Sequence, residues 1–236
     1  MLGIYLIVIL FGYPAMIYSI YTYNTELMNP KTIYFVRHGE SVDNIRPIYQ
    51  RPDAELSPDG LEQAEQIAAR AENLSFEIII SSTLRRAYQT AEAIQARTGK
   101  PIEPSELLVE RVKPTAIYGK DHSDPESWAI AGEWSESMYI SGKRVQDGEN
   151  FDDIMGRVDQ SLEFLKNRPE SEMVVVTHSR FLSAMVIRVL MGNLISGEAY
   201  RRFEAKTTMK NTGITVLRYF DDTWKLVVFN DHSHLG

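Results

Sequence analysis

The sequence predicts an α/β protein: three α/β/α layers built on a mostly parallel open sheet, with a cap or insertion over the C-terminal edge of the strands. Three observations carry that expectation. From Lys31 onward, short apolar β-branched runs alternate with amphipathic stretches, the pattern of strands linked by crossover helices. Two of the runs, Ile33-Tyr34-Phe35-Val36 and Val174-Val175-Val176, stop at a polar step that holds a histidine, and open α/β sheets take ligands outside the carboxyl ends of their strands. The stretch 112–150 breaks the alternation with Gly, Pro, Ser and acidic residues plus Trp128 and Trp134. Loops this long in compact domains are usually functional, so it is expected to cover the site.

The elements follow in order. Residues 2–23, within an apolar N-terminal extension over 1–30, carry no charged side chain. Roughly 20 apolar residues span a bilayer, so this segment is expected to associate with a membrane and hold the rest of the chain on the cytoplasmic side. Pro14, Ser19 and Thr22 weaken that span, and Met28 offers a start for a plain cytoplasmic chain. The domain, 31–236, opens with a strand over 32–36. Ser57-Pro58-Asp59-Gly60 then reads as a helix start, the helix running to about Ala71 with Leu61, Ala64, Ile67, Ala68 and Ala71 on one face. Residues 76–80 form a second buried strand, ending in Ser81-Ser82. A helix over 84–97 stops at Gly99-Lys100-Pro101, where glycine and proline end helices. An amphipathic helix over 151–166, a third buried strand over 173–176, a helix over 181–190 and two late strands near 214–219 and 225–229 complete the pattern.

Composition removes several function classes. A formal charge of −7 and a pI near 5.3 exclude broad, charge-driven nucleic-acid binding, because a polyanionic backbone is repelled. With no cysteine there is no disulfide, thiolate nucleophile or cysteine zinc site. His232 and His234 lack companion ligands and read as a solvated tail, so no metal and no cofactor is expected.

The run that ends in Arg37-His38-Gly39 carries the chemistry. A strand tip there presents His38 to a ligand, Gly39 lets the backbone turn and come close, and Arg37 offers a planar fork for phosphate oxygens. Ser41 and Asn44 follow as further donors. Taken alone, this is equally the end of a strand with a surface histidine, and His178 taken alone is a satisfied structural histidine. Two strand-tip histidines together suggest a phosphate cradle with a nucleophile in it.

These residues also resemble the signature of the histidine phosphatase superfamily, the phosphoglycerate mutase-like family. Further matching segments are Leu56-Ser57-Pro58-Asp59-Gly60, Ser81-Ser82-Thr83-Leu84-Arg85-Arg86-Ala87, Val174-Val175-Val176-Thr177-His178-Ser179 and Asn211-Thr212-Gly213. The resemblance runs from about Thr32 to the C-terminus. It implies that His38 takes the phosphoryl group, that Arg37, Arg86 and His178 grip its oxygens, and that Arg85 faces solvent. It also implies that Glu110 is the proton donor, with Glu103 and Glu106 as competitors. Ser179 stands where the family often has glycine, a departure expected to reshape the pocket floor or add a donor.

The implied reaction is metal-independent phosphomonoester hydrolysis through a phosphohistidine. Mutase chemistry is the nearest alternative, disfavoured because Glu110-Arg111 continues as Val112-Lys113-Pro114; a non-catalytic phospho-ligand binder is the other. The expected partner is a phosphorylated small molecule or a phosphoprotein. Arg111, Lys113, Lys120, Lys143 and Arg144 are candidates for meeting a second anionic group, or are simply solvated.

Overall fold

The computed structural model describes residues 30–236, so the expected membrane segment over 2–23 lies outside the described residues. In chain order the elements are strand β1 (Lys31–Arg37), helix α1 (Pro58–Ala71), β2 (Ile78–Ser82), α2 (Arg85–Thr98) and β3 (Ile102–Ser105). Then come α3 (Pro125–Glu136), α4 (Phe151–Lys166), β4 (Glu172–Thr177), α5 (Ser179–Met191), α6 (Gly197–Lys206), β5 (Ile214–Phe220) and β6 (Thr223–Asp231). Among the described residues no helix is long and apolar enough to cross a membrane.

The strands form one sheet in the order β3-β2-β4-β1-β5-β6. β3, β2, β4 and β1 pair in parallel, β5 runs antiparallel to β1, and β6 runs antiparallel to β5. Only β5 is therefore reversed, and the sheet is mostly parallel as expected. Alternation along the central strands builds the three layers. Met173 and Val175 of β4 join Ile33 and Phe35 of β1 in a core with α4 and α5. Val174 and Val176 turn to the opposite face and pack with Val36, Ile67, Ala68, Ala87 and Ala91 beneath α1 and α2, as the two-residue period of a strand requires.

Local chemistry explains the boundaries. Ser57 caps α1 by accepting from Gly60 N, with Pro58 at the first helical position. α2 ends at Gly99, whose φ of 70° is the left-handed conformation open to glycine. Asn150 and Asp153 form a reciprocal capping box on α4.

Several expectations need correction. Leu61 is 52% exposed, and Gly60 takes the buried position in the first turn of α1. The helix expected from 181 begins at Ser179. β3 was absent from the sequence reading because its segment IEPS carries a proline and alternates only weakly; edge strands tolerate both. The stretch 112–150 contains α3, started by the Asp124 side chain accepting from Ser127 N. α6, started by Ser196 accepting from Ala199 N, is also an addition.

Candidate active site

Two strand ends create the site. Arg37 of β1 lies opposite Thr177 of β4, so the residues that follow, His38 and His178, emerge side by side at the carboxyl edge. Their ring centroids are 4.9 Å apart, and the residues are 3% and 0% exposed. The backbone at this edge is clamped: His38 N donates to Thr177 O at 2.9 Å, Thr212 N donates to Arg37 O at 2.9 Å, and Asn211 Nδ2 donates to His38 O at 2.9 Å.

The hydrogen bonds assign the protons of His38. Its Nδ1 lies 2.5 Å from Gly39 O, an acceptor, while Arg86 Nε donates to its Nε2 at 3.2 Å. A guanidinium only donates, so Nε2 carries the lone pair and Nδ1 the proton. Arg86, from the first turn of α2, is 2% exposed and also donates from Nη1 to Arg51 O at 3.3 Å. That carbonyl is fixed by Arg51, whose side chain pairs with buried Asp43 at 3.0 Å. Arg85, by contrast, faces outward in ion pairs with Glu55 and Glu92. Arg37 donates from Nη1 to Met209 O, and its Nε is buried without a protein partner among the described residues. His178 Nε2 lies 2.8 Å from Ser82 Oγ, and its Nδ1 likewise has no protein partner.

Burial and charge hold both rings neutral. The His38 pKa falls well below 6.5, first through burial and then through Arg86 and Arg37. That of His178 falls well below 6.5 through burial, then Arg86 and His38. Burial also brings Arg86 down to about 10.

Glu110 sits beside the cluster at the start of α5. Its carboxylate accepts from Phe181 N at 3.0 Å and Arg180 N at 3.3 Å, and from Arg111 N at 2.9 Å. Arg157 of α4 holds this loop by donating to Leu107 O and Val109 O, and it pairs with Glu149 at 2.7 Å. Glu149 in turn accepts from Val112 N through its side chain and from Trp134 Nε1 through its carbonyl. The competitors are placed differently: Glu103 pairs with Arg168, and Glu106 is exposed at the rim of the adjoining cavity.

The other expected residues divide. Gly39 lies in the cluster, but its lack of a side chain serves packing: a Cβ there would meet Gly60 O at 2.5 Å. Ser41 is fully buried, and its hydroxyl is engaged with Asn44 Oδ1 and Gln50 Nε2. Within the protein it braces the loop. Asn44 spends Oδ1 on Ser41 and is exposed. Ser179 is the first residue of α5 and lines an opening of about 260 Å³ with Arg37, Arg180 and Glu204. Arg111, a candidate for a second anion, is 1% exposed and donates to the carbonyls of Trp134 and Glu149. Arg144 pairs with Asp153. Lys113 and Arg111 both line the cavity of about 190 Å³ beside Arg86 and Glu110. Sequence reasoning missed the parts of Ser82 and Arg157, which depend on contacts far away in the chain.

Among the described residues no three His, Asp or Glu side chains gather as a metal-ligand set. His234, expected in a solvated tail, is half-buried beside Arg70 and Thr212.

A family model described as the histidine phosphatase superfamily, branch 1, matches residues 33–232. The probable phosphoglycerate mutase GpmB of Escherichia coli is 30% identical over 202 residues, 81% of this chain and 86% of that protein. Among solved structures, Bacillus stearothermophilus YhfR superposes with a TM-score of 0.75 at 25% identity, covering 87% of this chain and 100% of that one. A mycobacterial glucosyl-3-phosphoglycerate phosphatase complexed with VO3 gives a TM-score of 0.69 at 26% identity, over 86% of this chain and 100% of its own.

Proposed function

The chain belongs to the histidine phosphatase superfamily, branch 1, and from that premise we propose that it is a phosphomonoester hydrolase working through a phosphohistidine on His38, without a metal. One observation carries this reading: the lone pair of His38 Nε2 is directed at the guanidinium of Arg86, with the His178 ring 4.9 Å away and the charge of Arg37 near enough to lower the His38 pKa. A phosphoryl group binding to Arg86 would meet that lone pair. Phosphoryl transfer is chiefly alignment and charge stabilisation, and two arginines fixed before substrate arrives provide both.

The steps balance on residues of the chain. Nε2 attacks phosphorus, the N–P bond forms and the P–O bond to the alcohol breaks. Protonated Glu110 delivers its proton to the departing alkoxide oxygen. Its carboxylate then takes a proton from water as that water attacks phosphorus, and the N–P bond breaks to return neutral His38 and inorganic phosphate. Relatives named as phosphatases support hydrolysis, while the GpmB name favours a mutase. The two differ only in the acceptor of the second half-reaction.

The test is direct. The purified chain should hydrolyse p-nitrophenyl phosphate in EDTA and accumulate an acid-labile phosphoenzyme on rapid quenching. His38→Ala should abolish both while remaining folded by circular dichroism. Near wild-type turnover in that variant would remove His38 as nucleophile.

A further inference from the structure

The loop between α6 and β5 holds the first strand tip in place. Arg37 N donates to Gly213 O at 3.3 Å, Thr212 N donates to Arg37 O at 2.9 Å, and Asn211 Nδ2 donates to His38 O at 2.9 Å. The guanidinium of Arg37 is tied to the same loop, since its Nη1 donates to Met209 O while its Nε is buried without a protein partner among the described residues. One end of the fork is therefore fixed by the protein, and the Nε–H remains for a phosphoryl oxygen. Where the Met209 carbonyl stands sets where that N–H points.

Asn230 sets where the carbonyl stands. Its Oδ1 accepts from Lys210 N at 2.8 Å and its Nδ2 donates to Thr208 O at 2.9 Å, so a single side-chain amide grips the backbone on both sides of Met209. Three features put it there. β6 ends level with the tip of β1, because Val36 pairs with Ile214 and Ile214 with Asp231. The β5–β6 ladder slips between Ile214 and Val216, and a bulge of this kind re-aims a side chain. Asn230 occupies the bulge at a φ of 51°, a left-handed conformation that asparagine tolerates, and its N donates to Thr215 Oγ1 at 3.1 Å. Gly213 leaves the space, since a Cβ there would collide with Asn230 Oδ1. Both ends of the amide are used, so a carboxylate in its place would keep the acceptor but set a second acceptor against Thr208 O.

We propose that Asn230 is a positioning residue of the active site, which aims Arg37 at the transferred phosphoryl group by clamping the loop around Met209. This rests on the phosphatase reading for the group that Arg37 meets. A misplacement of about 1 Å in such a contact costs on the order of 10²-fold in rate, so loss of the clamp is felt at a distance from the chemistry.

Two variants test the clamp. Asn230→Gly removes the amide and keeps the left-handed backbone without strain, and Asn230→Asp keeps only the acceptor. Orthovanadate affinity by calorimetry and kcat/KM for p-nitrophenyl phosphate are measured on the full chain, in the wild-type and the Arg37→Met backgrounds. Each variant should lower both quantities tenfold or more in the wild-type background, and twofold or less where Arg37 is already replaced, because nothing then remains to be aimed. A merely structural role would lower them equally in both backgrounds. Losses under tenfold in the wild-type background, or of similar size in the two, would therefore overturn the proposal, and Asn230→Asp alone carries the comparison if Asn230→Gly does not fold by circular dichroism. Vanadate binding that follows the expected pattern in a chain without phosphatase activity would overturn the hydrolytic reading and leave the positioning role standing.

Discussion

Replacing His178 by glutamine measures the electrostatics of the cluster without relying on an activity loss. In the folded chain the imidazole is buried, and burial followed by the charges of Arg86 and His38 carries its pKa well below 6.5. The unfolded chain titrates near that ordinary value. Below pH 6.5 the unfolded state then binds a proton that the folded state refuses, so stability falls as pH falls, and above 6.5 the effect vanishes. One unit below, at pH 5.5, proton uptake by the unfolded histidine is worth about 1.4 kcal/mol. Urea unfolding at pH 7.5 and 5.5, followed by tryptophan fluorescence, reads this quantity. Between the two conditions the wild type should lose about 1.4 kcal/mol more stability than His178→Gln, whatever the absolute cost of the substitution. His38→Gln should show the same offset, because burial, Arg86 and Arg37 lower its pKa in the same way. A difference between wild type and variant that is equal at both pH values would refute a neutral, buried imidazole in the folded state.

Glu110→Gln should slow hydrolysis of alkyl phosphates, whose alkoxides need a proton, by 10²-fold or more, but that of p-nitrophenyl phosphate far less. Equal losses on both would move the acid role elsewhere. Vanadate should inhibit at the cradle of Arg37, Arg86 and His178, and Arg86→Ala should weaken that inhibition at least tenfold; unchanged inhibition would place the oxyanion elsewhere. Gly60→Ala should destabilise the fold by about 1–3 kcal/mol, since the new Cβ would stand 1.9 Å from Glu40 O. Thermal melts read the cost, and an unaltered midpoint would mean that the loop after His38 yields freely.

The parts of the fold that the sequence revealed are those encoded locally. β1, β2 and β4 are continuous apolar runs because both their faces are covered, and α1 and α4 carry caps that can be read in their first turns. β3 hid because an edge strand of four residues needs little apolar pattern. α3 hid because several of its apolar side chains face outward, Trp128 being 68% exposed, so it lacks a clean buried stripe. In the site, His38 and His178 were legible as residues at strand tips, whereas Arg86, on its own a helix-surface charge, was singled out only by its likeness to the family pattern; the structure brings the three together. For Ser41 the sequence is silent on its partners within the protein: a hydroxyl in a loop motif does not announce that it will meet Asn44 and Gln50.

What no local pattern could contain is the way the proposed acid is held. Glu110 lies 70 residues or more from the amides of Arg180 and Phe181 that bind it, and 47 residues from Arg157, which also binds its carbonyl. Its carboxylate rests on the first turn of α5, the helix that begins immediately after His178. The helix that anchors the acid is thus continuous with the strand tip that presents the second histidine. The same loop is tied to the cap through Val112 and Glu149, and the cap carries Trp134 against the cations at the mouth. Acid, histidine pair and cap therefore form one hydrogen-bonded unit. A displacement of the cap would carry Glu110 with it, whereas Arg86, braced from the opposite side through Arg51 and Asp43, would stay with His38. Under the proposed mechanism, a change at the cap is therefore expected to affect proton delivery by Glu110 more than the grip of Arg86 on a phosphoryl group.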